Sequence, residues 1–310
     1  MGYSPSRATT ANVTRAIGTT LILLAAIGFG TIGIFGKLGF DAGLNNPTIL
    51  TFRFLIATVF LAAFLWFTGR GEVATGKPLY IATGLGIAYT LLAAGFFWGL
   101  VYITAGLASI TLYTFPIYVY LISVVLLGER LTGLKLIAIV LAIGGVLAIV
   151  GLDVGNIDLR GIVLVSLAAM AYAIYTTGSR VAVADIDADV LATVAIGVSA
   201  AVFLLYGLIS GTVFLPAGID QWGVILGLAL FGTAIPIVLF VHGLELIEAS
   251  RASIVAMAEP PVTVILGVVL LGEILTIGIL IGGTMILIGI LLIQRDRTVA
   301  RPAVSSPTDE

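Results

Sequence analysis

Apolar runs of about 20 residues recur along the whole chain, and they constrain its fold more than any other feature. Each run is long enough to cross a hydrocarbon core of about 30 Å as a helix. Charged residues make up only 10% of the chain, against about 25% in an ordinary soluble domain, and so cannot coat a soluble surface. We therefore expect an all-α polytopic membrane protein embedded in the lipid bilayer.

The runs between charges and turn residues predict ten transmembrane helices. The first run is too long for a secretory signal and ends at Gly36-Lys37 without a cleavage motif, so we interpret it as a retained span. Residues 1–16 form an N-terminal segment, and the polar residues 294–310 are expected to be a disordered tail. The predicted spans are residues 17–36, 47–68, 78–100, 104–126, 134–151, 161–179, 189–209, 221–242, 251–271 and 277–293.

The lysines and arginines are distributed unevenly about these spans. Eleven lie on the side of the N-terminus, Lys37 and Arg160 lie on the opposite side, and Arg53 falls inside a span. If the N-terminus is cytoplasmic, this is a strong positive-inside bias, and it requires an even number of spans. We expect a multi-pass protein of the cell (inner) membrane with both termini in the cytoplasm.

An internal repeat relates the two halves. The segment LLGERLT at 126–132 returns as LLGEILT at 270–276, and Pro116 falls on Pro260 at the same offset of 144 residues. Each half, 17–151 and 152–293, then holds five spans. Because five is odd, the second half enters the membrane from the opposite side. Inverted repeats are typical of secondary transporters, whose substrate site lies near the midplane.

Composition and motifs disfavour other classes of protein. The chain has no cysteine and one histidine, and its net charge is −2 without a basic block. We therefore expect no metal site, no cofactor and no nucleic-acid partner. The sequence lacks HExxH and GxSxG, and its GxGxxG (Gly28, Gly30, Gly33) lies inside an apolar span. A P-loop-like GxxxxGK at 71–77 is followed by Pro78 instead of Ser or Thr. We expect neither an enzyme nor an ATP-driven pump.

Several short segments recur in a characteristic order. They are RFLIA (53–57), AGLASI (105–110), Pro116 and LGERLT in the first half, and EASRASI (248–254), Glu259-Pro260 and LGEILT in the second. In their order, spacing and duplication, these segments resemble the EamA-type proteins of the drug/metabolite transporter superfamily. The resemblance implies two five-helix repeats around a central cavity and transport of small molecules, often export of amino acids. A proton-coupled antiporter of cationic drugs and a channel remain alternatives, and the oligomeric state stays open.

Glu259 is the main candidate for function. It lies eight residues beyond Arg251, which places it roughly 12 Å into the membrane at 1.5 Å per residue. An ionisable group at that depth indicates a functional site. Its carboxyl could contact a substrate ammonium group or accept a proton that couples transport to pH. The alternative is a structural carboxyl that satisfies backbone freed by Pro260 and Pro261.

Prolines inside the spans predict broken or kinked helices. Pro116, Pro236, Pro260 and Pro261 are candidate hinges, and packing kinks are the equal alternative. Unwound backbone is tolerated at this depth only where it faces protein or a water-filled cavity. The prolines therefore also indicate where a cavity lies.

Two stripes of the fourth span compete for the cavity. Repeat symmetry pairs Phe115 with Glu259, and Thr111 and Tyr118 share the Phe115 stripe. The second stripe holds Ser109, Tyr113, Pro116 and Tyr120, and only one of the two is expected to be central. The remaining candidates for the cavity wall are aromatic: Tyr89 in the third span, and Tyr172 and Tyr175 in the sixth.

Arg53 and His242 each allow two interpretations. Arg53 could extend its side chain to the headgroups, or it could bind a substrate carboxylate in the cavity. His242 could be structural or solvated, or it could take part in proton coupling. Trp98 is expected in the aromatic belt at a membrane interface.

Overall fold

The computed structural model describes residues 7–69, 75–127, 133–152, 157–183, 185–246, 255–256 and 258–295, and these fold into helices joined by turns. The helices are α1 (Arg7–Gly30), α2 (Ile32–Asp41), α3 (Asn46–Thr68), α4 (Lys77–Gly99), α5 (Ala105–Leu112), α6 (Phe115–Leu127), α7 (Gly133–Leu152), α8 (Leu159–Ala182), α9 (Ala188–Ser210), α10 (Gly218–Ala229), a π-helical segment (Leu230–Ala234), α11 (Ile235–Leu246), α12 (Glu259–Leu271) and α13 (Ile277–Arg295).

Six helical stretches in the described part of the chain are long and apolar enough to cross a membrane. The chain is therefore an integral, multi-pass membrane protein. Three shorter apolar helices lie at Ala105–Val119, Glu259–Leu271 and Ile277–Gly289. The six longer stretches are Val13–Asp41, Asn46–Thr68, Lys77–Gly99, Leu159–Ser179, Ala188–Ser210 and Gly218–Gly243.

The two halves pack against each other in corresponding pairs. Helix α4 packs along α8, and α11 packs along α1, so the third span of each half contacts the first span of the other. Helices α3 and α9 pack together, as do α7 and α13. Close approach depends on small residues: a methyl group on Gly95 of α4 would lie 2.7 Å from the Leu164 carbonyl oxygen of α8. This pattern is the one expected of two repeats related by a pseudo-twofold axis.

Helices are interrupted at the places where proline was expected to kink them, but the geometry differs. Pro116 and Pro260 each occupy the second position of a new helix, after a break at Tyr113–Thr114 and a turn before Glu259. Proline is tolerated in a first turn because the amide it lacks has no intrahelical partner there. Pro236 follows the π-helical segment, so the kink predicted at Pro236 is instead a widened turn.

Several predicted boundaries differ from the structure. Residues 7–16, expected in the N-terminal segment, are helical, because α1 begins at Arg7. The first span was expected to end at residue 36, but α2 continues to Asp41, so Lys37 is helical. Gln294 and Arg295, expected in the tail, extend α13; residues 296–310 lie outside the described part. Helices α3 and α9 agree closely with the predicted 47–68 and 189–209.

The LGEILT segment forms the turn between α12 and α13. Gly272 caps α12 with φ of 65°, a conformation that favours glycine. Thr276 caps α13, because its hydroxyl oxygen accepts a hydrogen bond from the Ile279 amide at 3.2 Å. Most of the equivalent LGERLT segment, residues 128–132, lies outside the described residues.

Candidate functional site

Glu259 begins α12 inside the bundle, and its carboxylate lies beside Tyr113 at the end of α5. The Tyr113 hydroxyl is 2.8 Å from Glu259 Oε2 and 2.9 Å from the Ala256 carbonyl oxygen. A hydroxyl carries a single proton, so it can donate fully to only one of these acceptors. If it donates to Ala256, the contact to Glu259 is best satisfied by a proton on the carboxyl. The arrangement therefore accommodates both the ionised and the protonated form of Glu259.

Aromatic side chains continue from Tyr113. Its ring is 6.0 Å from that of Phe115, and the Phe115 ring is 4.3 Å from that of Tyr172 on α8. Tyr113 and Phe115 belong to the two stripes that were expected to compete, and the structure brings both together. The expectation of one central stripe was wrong because the break between α5 and α6 ends the regular helical spacing.

Tyr89 extends this aromatic wall across α4. Its ring lies 5.0 Å from that of Tyr175 and 6.0 Å from that of Phe54, in edge-on arrangements. Tyr89 is also within electrostatic range of both Glu259 and Arg53. The rings therefore form two contacting groups, Tyr113, Phe115 and Tyr172, and Tyr175, Tyr89 and Phe54. Tyr172 is within electrostatic range of Tyr89 and Tyr175. We call these two groups of rings, between Glu259 and Arg53, the central path.

Arg53 is buried at the other end of the central path, with 3% of its surface exposed. The interpretation in which it extends to the headgroups is therefore wrong. Its Nε–H donates to Thr233 Oγ1 at 2.8 Å, and its guanidinium carbon lies 4.7 Å from the Phe54 ring centre and 5.3 Å from that of Phe97. Within the described residues, its terminal nitrogens donate no hydrogen bond.

The other candidate residues lie around this path or apart from it. Thr111 is buried in α5, and its hydroxyl has no hydrogen-bond partner within the described residues. Tyr118 is half-buried on α6. His242 Nδ1 lies 2.8 Å from the Val238 carbonyl oxygen of its own helix, and its ring packs edge-on against Phe64 at 5.8 Å. These contacts favour the structural interpretation of His242.

Sequence reasoning missed two residues that hold the site in place. Thr233 positions Arg53 from the π-helical segment, and its hydroxyl donates to Leu228 O, five residues back, at 2.9 Å. No pattern in the sequence indicates a π-helical turn. Glu273 accepts hydrogen bonds from the Ala105 and Gly106 amides at 2.6 and 3.1 Å, and so caps α5. The repeated LGE segment was the available signal, but it was interpreted only as evidence of a repeat.

The GxGxxG segment packs against the broken helices. A methyl group on Gly28 would overlap Pro236 and lie 2.7 Å from the Phe231 carbonyl oxygen. One on Gly30 would lie 2.8 Å from Val262 and 3.3 Å from the Glu259 carbonyl oxygen. The Thr263 hydroxyl donates to the Gly30 carbonyl at 3.0 Å. These glycines let α1 approach the interruptions that carry the site.

Within the described ranges, no group of three or more His, Cys, Asp or Glu could hold a metal ion.

Comparisons with known proteins agree with this architecture. The EamA-like transporter family matches residues 16–151 and again residues 159–295. A protein of Archaeoglobus fulgidus, named an uncharacterized transporter, is 32% identical over 82% of this chain and 90% of its own length. A probable terminal-alkyne amino-acid exporter of Streptantibioticus cattleyicolor is 27% identical over 73% of this chain and 75% of its own. One crystal structure, 20% identical, has the same fold with a TM-score of 0.64 over 91% of this chain and 96% of its own.

Proposed function

We propose that this chain, which belongs to the EamA-like transporter family, is a secondary transporter that exports amino acids or closely related zwitterionic metabolites. A single observation carries the proposal: the half-buried Glu259 and the buried Arg53 lie at the two ends of the central path. The path offers a carboxylate, a guanidinium and an apolar wall between them. A free amino acid carries the complementary groups.

Each end of the central path carries a group that complements one of the two charges of a zwitterion. Arg53 uses Nε to bind Thr233, so its terminal nitrogens remain to bind a substrate carboxylate. Guanidinium and carboxylate form strong charge-assisted hydrogen bonds. Glu259 would contact the ammonium group, and Tyr89, Tyr172 and Tyr175 would pack against the substrate side chain. Because a buried charge is costly without a partner, a zwitterion is favoured over an ion of one sign.

A relative supports the same class of substrate. The exporter of Streptantibioticus cattleyicolor acts, by its name, on a terminal-alkyne amino acid. The match extends over 73% of this chain, and so includes parts of both halves. We take from it the substrate class, amino acids, and the direction, export.

The proposed mechanism is alternating access by ten spans arranged as two inverted repeats, residues 17–151 and 152–293, with both termini in the cytoplasm. The interruptions at Tyr113–Thr114, at the π-helical segment and before Glu259 support hinge roles for Pro116, Pro236, Pro260 and Pro261. All three interruptions lie beside the central path. Movement of the half-helices would therefore change access to Glu259 and Arg53 directly.

Proton coupling at Glu259 is part of the proposal. The contact to Tyr113 is compatible with a carboxyl in either protonation state. A substrate ammonium and a proton would then compete for one carboxylate, which is the requirement for antiport.

Transport into proteoliposomes tests the proposal. The purified protein is reconstituted, and uptake of a radiolabelled amino-acid panel is measured with and without an imposed pH gradient. We expect saturable uptake of some amino acids that the gradient accelerates. Uptake of organic cations in place of amino acids would overturn the substrate class, and flux that does not saturate would indicate a channel.

The same assay tests Glu259. We expect Glu259→Gln to lower uptake at least about tenfold, or to abolish its dependence on pH, because the amide cannot exchange a proton or carry charge. The fold should persist, since glutamine can still accept the Tyr113 hydroxyl. Asp220→Asn, which changes an exposed acid in the first turn of α10, is the matched control. Native transport by Glu259→Gln at every pH would remove this residue from the mechanism.

A further inference from the structure

A cavity of about 620 Å³ lies at the end of the bundle opposite to the predicted cytoplasmic face. We call it the outer vestibule. Helix α2, the start of α3, and the ends of α4 and α9 form its wall, and none of its lining residues belongs to the central path. Its polar and aromatic lining includes Lys37, Asp41, Asn46, Trp98 and Tyr206.

We propose that the outer vestibule is a second binding site for amino acids or other small zwitterions, in which Lys37 binds the carboxylate and Asp41 the ammonium group. The choice of ligand rests on the proposed function, because a solute that leaves the central path outward would reach this cavity. The site itself is inferred from the residues that line it.

Within the described part of the chain, the two charges of the vestibule are not joined in an ion pair. Lys37 and Asp41 are four residues apart on α2 and so face the same side of the helix. Such pairs commonly join directly, yet among the described residues neither side chain takes part in an ion pair or a side-chain hydrogen bond. Lys37 is within electrostatic range of Glu273 and of Asp41, but the Glu273 carboxylate already accepts the Ala105 and Gly106 amides. A zwitterion could therefore bridge Lys37 and Asp41.

The wall around these charges is held in place by contacts between the two halves of the chain. The Asn45 side-chain amide donates to the Thr212 carbonyl at 2.7 Å, and that of Gln221 donates to the Ala42 carbonyl at 2.8 Å. These bonds tie the connection between α2 and α3 to the start of the second half's third span. A cavity fixed before the ligand arrives loses less conformational freedom on binding.

The vestibule also has a surface for a substrate side chain. Trp98 and Tyr206 pack edge-on, with ring centres 6.1 Å apart and planes at 77°. Such a pair offers an apolar face with polar edges, suited to an amphipathic solute. The volume of about 620 Å³ falls within the usual range for small-molecule sites, about 300–1,000 Å³. Trp98, predicted as an interface belt residue, therefore has a place in this site.

Fluorescence of Trp98 tests the proposal. With Trp66 and Trp222 replaced by Phe, Trp98 is the sole tryptophan of the chain, and the protein is titrated in nanodiscs with alanine, leucine and phenylalanine. We expect a saturable change in emission with leucine or phenylalanine. Leucinamide lacks the carboxylate and 4-methylpentanoate lacks the ammonium group, so each should bind at least about tenfold more weakly than leucine.

Variants separate the vestibule from the central path. Lys37→Met and Asp41→Asn should each raise the Kd at least about tenfold, Lys37→Arg should restore binding to within about threefold, and Lys77→Met is the matched control for loss of a lysine. Glu259→Gln should leave the titration unchanged. Elution volume and Tm show that each variant is folded.

Three results would overturn the vestibule site: no saturable signal with any of the three amino acids, a native Kd in folded Lys37→Met, or loss of the signal in Glu259→Gln. Failure of the proposed function is recognised separately. If the titration behaves as expected but no amino acid is transported, the vestibule stands and amino-acid export fails. If amino acids are transported but Trp98 fluorescence shows no saturable change, the vestibule site is overturned and the proposed function stands.

Discussion

Tyr113 and Glu259 show how single side chains define the central path. They are 146 residues apart in the chain, yet one hydrogen bond of 2.8 Å joins them. The depth of Glu259 stays a prediction from its distance to Arg251 and the fixed rise of a helix. Its partner could not be predicted, because helical spacing gives no information across the break between α5 and α6. Similarly, Arg53 was predicted inside a span, but its burial depends on Thr233 from the other half.

Thr233 provides a prediction at this scale. Thr233→Val keeps the shape of the side chain but removes the hydroxyl that accepts from Arg53 Nε. Loss of a buried hydrogen-bond partner costs about 1–3 kcal/mol, so we expect a lower Tm in detergent and weaker amino-acid uptake. Thr233→Ser keeps the hydroxyl and should behave like the native protein. Equal Tm and uptake for Thr233→Val and Thr233→Ser would show that this bond does not position Arg53.

At the scale of elements, continuous helices were easier to predict than interrupted ones. The bounds of α3 and α9 follow from apolar length and from capping by Asn45 and Asp187, which lie just before the first turns. The proline positions indicated where helices are interrupted, but not how. Pro116 and Pro260 begin new helices, whereas Pro236 follows a π-helical turn, because the outcome depends on which neighbouring groups satisfy the freed backbone.

Glycine packing at an interruption gives the second prediction. A methyl group on Gly28 would overlap Pro236 and lie 2.7 Å from the Phe231 carbonyl oxygen. Because both neighbours belong to a constrained backbone, we expect Gly28→Ala to destabilise the protein by about 1–3 kcal/mol, measured as a lower Tm. Gly84→Ala is the control: it lies on α4 with no atom within 4 Å of the added carbon. If Gly28→Ala and Gly84→Ala have the same Tm, the close contact at Gly28 does not contribute to stability.

At the scale of the whole molecule, the repeat LLGERLT and LLGEILT predicted two repeats, and the family matches twice along the chain. The charge distribution predicted which end of the bundle faces the cytoplasm. Neither pattern could indicate that α4 packs along α8 and α1 along α11, because lipid-facing and protein-facing surfaces of these helices are equally apolar. The outer vestibule was missed for the same reason, since its wall combines residues from both halves.

The orientation in the membrane is the third prediction. The native chain has no cysteine, so single cysteines can report which side of the membrane each position occupies. We expect Asp220→Cys to react with a membrane-impermeant maleimide in intact cells, and Lys77→Cys to react only after the membrane is opened. Both positions are exposed. The opposite result would reverse the orientation and place the outer vestibule on the cytoplasmic side.

The pairing of α4 with α8 and of α1 with α11 also has a consequence for biosynthesis. The ribosome completes α4 at Gly99 well before α8 begins at Leu159, and it completes α1 at Gly30 long before α11 begins at Ile235. The newly inserted first half therefore has glycine-rich surfaces whose partners have not yet been made. Lipid or the insertion machinery must cover them in the meantime, and a chain stopped after the first half would present them to quality-control proteases.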